Sequence, residues 1–168
     1  MKILYVIFIA FSIYFSALAQ TEDEQTNRAA PNFKLESING KYVELNSLFC
    51  NGPILLSFWA TWCIPCQEEL AEYNKFFNEY SEKGLTLIAI STDTEKSVAK
   101  VKPFIKSKNY KFEVLLDTNS EAARKFYAQQ VPFTVLIDKN GKIIYTHMGY
   151  MKGDEIKVKD LIEELVKN

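Results

Sequence analysis

Two cysteines separated by two residues, in Trp62-Cys63-Ile64-Pro65-Cys66, are the side chains best able to do chemistry here. That spacing lets two sulfurs join and part without rebuilding the backbone. Pro65 suits the first turn of a helix, Glu68 and Glu69 are favoured near a helix N-terminus, and Leu70, Tyr73, Phe76, Phe77 and Tyr80 recur at helical spacing. Cys63 therefore falls where unpaired backbone N–H groups and the positive end of the helix dipole favour an anion. Its thiol should ionise readily and act as the nucleophile. Cys66, one turn further in, should be more buried and stay protonated until needed. A zinc knuckle is the competing reading, but it requires four ligands. Outside the pair the chain offers only Cys50 and His147, at no recognisable zinc spacing. A permanent staple is the other alternative, and the redox reading is preferred to both.

These cysteines must be positioned by what flanks them. Upstream, 54–58 is an apolar run after Gly52-Pro53 and reads as a strand buried on both faces. Downstream, 85–91 is a second buried strand, so strand, helix and strand form a parallel crossover. Thr92-Asp93-Thr94 caps a further helical stretch carrying Val98, Val101 and Ile105, with Pro103 inside it. A short strand at 114–116 and a helix over 120–127 follow. Val131-Pro132 then precedes a buried strand, so Pro132 is expected at a strand's first position or at an edge. A turn over 138–141 leads to a strand over 142–146, and Val158, Leu161, Ile162 and Leu165 stripe a closing helix. Near the start, Phe33 and Leu35 alternate up to Asn39-Gly40, with Tyr42, Val43 and Leu45 beyond, giving a hairpin. Cys50, in the next connection, reads as an inert small hydrophobe, and His147 as a solvated or core imidazole past the last strand.

The chain opens with Lys2, an apolar run over 3–15, and Ala17-Leu18-Ala19, the three parts of a secretory signal peptide cleaved before Gln20. An uncleaved membrane anchor is the alternative. The polar stretch 20–30 reads as a mobile tether and 31–168 as one domain. With 20 basic and 21 acidic side chains, neither nucleic acid nor an anionic membrane surface is an implied partner. Three cysteines in a chain with such a leader suggest one working pair and one left over.

The pairing of Trp62-Cys63-Ile64-Pro65-Cys66 after a strand with Val131-Pro132-Phe133-Thr134 before a later one resembles the thioredoxin superfamily. The lead hairpin from Pro31 to Leu45, the phrase from Leu56 to Cys63, and the strand and helix inserted between Ser91 and Leu116 narrow this resemblance to the secreted TlpA/ResA-like thiol-disulfide oxidoreductases. It implies an α/β thioredoxin-like fold: a central mixed sheet flanked by helices, with an N-terminal β-hairpin and an inserted strand-helix. It also implies a cis Val131–Pro132 bond that exposes the Val131 backbone to an extended substrate. Trp62, Ile64, Pro65, Val131 and Pro132 are then the substrate-binding residues, and Trp59 shapes the apolar surround or simply packs.

The reaction so implied needs a base for Cys66. Thioredoxins carry an acid on the active-site strand, where this chain has Ser57, which is no base near neutral pH. Asp93 is the candidate acceptor, with a helix cap as its other reading. No cofactor and no metal are expected. Clients carrying disulfides, apocytochrome c among them, and a membrane electron donor are the expected partners of a monomer. Because Ile64-Pro65 offers no charge or imidazole to stabilise a thiolate, a reductase is favoured over an oxidase. A copper carrier using the pair as soft ligands, and a peroxiredoxin-like thiol peroxidase, are the alternatives.

Overall fold

The computed structural model describes residues 27–167. The signal peptide read over 1–19 and most of the tether lie outside them. Seven strands form one sheet in the order β2-β1-β5-β4-β3-β6-β7. The hairpin β1 (Lys34–Ser37) and β2 (Tyr42–Glu44) lies at one edge and turns at Gly40, whose φ is +78°. β3 (Ile54–Trp59) sits between β4 (Thr86–Ser91), to which it is parallel, and β6 (Phe133–Ile137), to which it is antiparallel. β5 (Glu113–Leu116) runs parallel to β4 and joins the hairpin to the sheet through β1. β7 (Ile143–Met148) closes the other edge. The sheet is mixed and helices cover it, as the sequence predicts for a thioredoxin-like fold.

All six residues of β3 are buried, which is why it reads as a continuous apolar run rather than an alternation. Its side chains divide between two cores. Leu55 and Trp59 pack with α1 (Ile64–Tyr80), α2 (Val101–Ser107) and α4 (Asp154–Lys167). Ile54, Leu56 and Phe58 pack on the other face with Phe33, Leu45 and Phe126, the last just past α3 (Glu121–Lys125). Each such large side chain contributes about 1.5–3 kcal/mol by leaving water. At the N-terminal ends of β3 and β4, Gly52 and Gly84 approach so closely that a Cβ on Gly52 would stand 2.3 Å from the Gly84 carbonyl oxygen. This close approach fixes the strands' entry at the end remote from the cysteines.

Several local expectations are corrected. The helix read over 120–127 is only Glu121–Lys125, with Ser120 and Tyr127 at positive φ on either side. Its first turn is held by Asp117, whose carboxylate accepts from the amides of Glu121, Ala122 and Ala123. β7 runs to Met148, so His147 lies within the last strand rather than past it. Pro132 immediately precedes β6, which is interior, so its missing N–H interrupts no ladder. Of the stretch read as a tether, residues 27–30 run beside β7: Ala29 bridges Lys142, the Asn27 amide donates to Ile143 O, and Ala30 is buried. Among the described residues no helix is long and apolar enough to cross a membrane.

Candidate active site

α1 begins where β3 ends, and Cys63 is its N-cap, in extended conformation with φ −89° and ψ 103°. The Cys63 Sγ accepts a hydrogen bond from the Cys66 amide at 3.2 Å. A sulfur in that place takes up one of the amides that the first helical turn leaves unpaired, which favours its anionic form. Cys63 and Cys66 are joined in a disulfide with an S–S distance of 2.03 Å. Cys63 is 5% exposed and Cys66 not at all, in the order the helix start predicts.

Around this pair the surface is apolar. Trp62 is 68% exposed and Ile64 62%, and Pro65 is exposed beside them. The Val131–Pro132 bond is cis, as the resemblance implied. Pro132 is buried and its carbonyl accepts from the Gly149 amide, while Val131 stays half-buried. Trp62 and Val131 come together on a cleft of about 590 Å³, with Thr92, Arg124, Gln129 and Gln130 also on its walls. Ile64, Pro65 and Pro132 do not line it. Trp59 is fully buried against Phe104, so it packs in the core.

Asp93 does not cap the segment that follows it. Its side chain turns back to the loop before the dithiol, where Oδ2 accepts from the Thr61 amide at 2.8 Å and Oδ1 from Thr61 Oγ1 at 2.7 Å. Ser91 Oγ adds a third bond at 3.0 Å. Burial by itself would push this carboxyl up, but the donors Thr61, Ser97 and Ser91 together outweigh it and hold it below the usual range. Gln67 ties the same loop from the helix side, through Nε2 to Thr61 O.

A second acid, Glu69, reads from sequence only as an N-terminal helix charge. It is fully buried beneath α1, one turn from Cys66 on the same helix face. Ser57 Oγ donates to Oε2 at 2.8 Å and Thr134 Oγ1 to Oε1 at 2.8 Å. The Tyr73 hydroxyl lies 2.9 Å from Thr134 Oγ1 and 3.3 Å from Oε1, with one proton to share between them. Burial pushes the Glu69 carboxyl up to about 7, against the downward pull of these hydroxyls. Ser57, standing where a thioredoxin acid was expected, thus anchors an acid that comes from the helix instead. The signal was available: 66, 69, 73, 76 and 80 form one helical stripe, and all five residues are buried.

Cys50 is a free, exposed thiol. Its amide bonds to Lys139 O at the hairpin closing the start of β3. The dithiol stands past the other end of that six-residue strand, about 20 Å away by strand rise, too far for the two to exchange sulfurs. Among the described residues no three His, Cys, Asp or Glu side chains gather to hold a metal ion.

Residues 26–146 match the AhpC/TSA family. A thiol-disulfide oxidoreductase ResA of Bacillus cereus is 34% identical over 159 residues, covering 95% of this chain and 87% of that protein. The chain belongs to the ResA-like thiol-disulfide oxidoreductases of the AhpC/TSA family. ResA of Bacillus subtilis strain 168 is 32% identical over 143 residues, 85% of this chain and 78% of its own. Among solved structures, a thioredoxin-like protein of Porphyromonas gingivalis is 36% identical with a TM-score of 0.71, covering 84% of this chain and 95% of its own. A protein of Chlorobium tepidum, provisionally named thiol:disulfide interchange protein DsbE, superposes with a TM-score of 0.77 at 26% identity, covering 84% and 97%. Like these ResA-like proteins, the chain is a protein disulfide oxidoreductase of thioredoxin-like fold.

Proposed function

We propose that the protein is a reductase of disulfides in polypeptides outside the cytoplasm, working through Cys63 and Cys66. The Cys63 thiolate attacks one sulfur of the client disulfide, whose S–S bond breaks as the other sulfur leaves and takes up a proton. Cys66 then passes its proton to Glu69 and attacks Cys63 Sγ. The second client thiol is released and the enzyme is left oxidised. Two electrons from a membrane donor restore the dithiol. The observation carrying this reading is the Cys63 sulfur at the helix N-cap, bonded to the Cys66 amide beside an exposed Trp62.

Glu69 is preferred to Asp93 as proton acceptor. It lies one helical turn from Cys66 and its proton affinity is near neutral, whereas the donors on Asp93 make that carboxylate a weak base. Reduction over oxidation is supported by Ile64-Pro65, which gives the outer thiolate no charged or imidazole partner. Secretion by the signal peptide at 1–19, a monomeric state, and clients such as apocytochrome c rest on the sequence and its resemblance.

A redox titration of the Cys63/Cys66 couple against glutathione tests the direction. A potential near −270 mV, thioredoxin's value, is expected, and one near −120 mV would make the protein an oxidase. Peroxide turnover faster than insulin-disulfide reduction would replace the reading with a thiol peroxidase.

A further inference from the structure

The hydroxyls that hold Glu69 lead across the sheet to an ionisable pair. Ser57 stands directly opposite Thr134 across β3 and β6, and Thr134 directly opposite His147 across β6 and β7. Directly opposed residues project from one face of the sheet with their Cβ atoms about 4.5–5.5 Å apart. Ser57, Thr134 and His147 therefore form a row beneath the helices; the first two grip Glu69 and the third reaches the half-exposed edge. There His147 Nε2 lies 3.2 Å from Asp154 Oδ2 at the start of α4. Tyr145, on the same face two residues earlier, stacks on the imidazole with 15° between the planes. Asp154 is itself fixed, since Oδ2 also accepts from the Met151 amide at 2.7 Å.

The other groups facing this row are already engaged. On α1, Tyr73 shares the Thr134 and Glu69 bonds, Cys66 lies one turn back, and Glu72 pairs with Lys75. Between β7 and α4, the Tyr150 hydroxyl donates to Glu155, which also accepts from the Gly153 amide. β3 and β6 bring only hydroxyls to Glu69. The imidazole is the one side-chain type in this set whose ordinary titration spans neutral pH.

We infer that His147 and Asp154 are a positioning pair that governs when Glu69 holds its proton, acting across Thr134. With the imidazole neutral, the Asp154 charge is uncompensated and adds to the burial that raises Glu69. With the imidazole protonated, the pair is neutral overall and Glu69 ionises more readily. Consistent with this, Asp154 adds to the forces raising the Glu69 carboxyl, after burial. As pH rises the imidazole loses its charge, so each step of Glu69 ionisation is resisted and its titration is broadened. This inference rests on Glu69 as the acceptor for Cys66 only for its role in turnover; the coupling itself is read without turnover.

His147 is the only histidine in the sequence, so its ring resonances need no assignment. The experiment follows those resonances and the ¹³C-labelled glutamate carboxyl signals of the oxidised protein against pH, with the Glu69 signal identified by its loss in Glu69→Gln. Asp154→Asn should move the Glu69 midpoint down, and His147→Gln should move it up and sharpen it to a single-site curve, each by about half a pH unit. Both replacements keep a hydrogen-bonding atom in place. Reciprocally, the His147 midpoint should fall in Glu69→Gln, where a negative neighbour has gone; this comparison stands even if the other two variants fail to fold. Midpoints for Glu69 and His147 that stay within about 0.1 unit of the unmutated protein would overturn the inference. Normal turnover of Glu69→Gln with the shifts intact would instead remove Glu69 from the reaction and leave the coupling standing.

Discussion

Glu69 and Asp93 are both acids with no exposed surface, both beside the same dithiol, yet the fold holds them in opposite states. Asp93 receives the Thr61 amide and the hydroxyls of Thr61, Ser91 and Ser97, and its carboxyl is held low. Glu69 receives hydroxyls alone, deeper under a helix, and its carboxyl rises to about 7. Depth of burial sets how hard a carboxyl is pushed up, and the donors facing it decide whether that push is outweighed, as it is at Asp93 and not at Glu69. One acid is a fastener, charged at neutral pH. The other has a carboxyl raised to about 7, one helical turn from Cys66.

The sharpest way to break this contrast is to neutralise each acid without changing its shape. Glu69→Gln should slow resolution of the mixed disulfide roughly 100- to 1,000-fold in single-turnover measurements, while Asp93→Asn should stay within about threefold of the unmutated protein. Were Asp93 the proton acceptor, the pattern would invert, with slow turnover and nearly unchanged melting in Asp93→Asn.

Stability against pH gives the next largest difference. The Glu69 carboxyl titrates near 7 when folded and near 4.5 when unfolded, so the folded state holds an extra proton between those values. Its contribution to stability falls as pH rises across that window, by about 3 kcal/mol in all. Denaturant unfolding at pH 5 and pH 8 should show this slope in the unmutated protein and lose it in Glu69→Gln. Asp93 should behave in the opposite sense. Its lowered carboxyl stabilises the fold above the ordinary aspartate range and stops doing so as pH falls through its folded value. Asp93→Asn should therefore cost about 2 kcal/mol at pH 7, since an amide donor would face the Thr61 amide, and the cost should shrink in acid.

The smallest effect tests the hydroxyl cage. Thr134→Val removes one donor from Glu69, worth about 1 kcal/mol, so the acid limb of turnover should move to higher pH by somewhat under one unit. An unmoved limb would mean that Thr134 merely packs.

The scaffold of the site was readable because its signals are local. The apolar run ending at Phe58, the turn at Asn39-Gly40 and the Val131-Pro132 pair each announce their structure within a few residues. Proton handling was not, because its partners are remote. Asp93 finds Thr61 32 residues away, and Glu69 finds Thr134 65 residues away. An acid early in a helix also satisfies the dipole rule, and that local explanation hid its place on the buried stripe. Likewise the α3 start is held by Asp117, outside the helix, rather than by any residue whose helical spacing could announce it.

The two ends of the sheet carry a consequence of their own. One finishes on a three-residue strand, and the other on a strand whose first residues already bond the incoming chain at Asn27 to Ala30. An open sheet edge can be conscripted as the next strand of another chain and drawn into aggregates. Short and pre-occupied margins reduce that risk at both ends of the sheet.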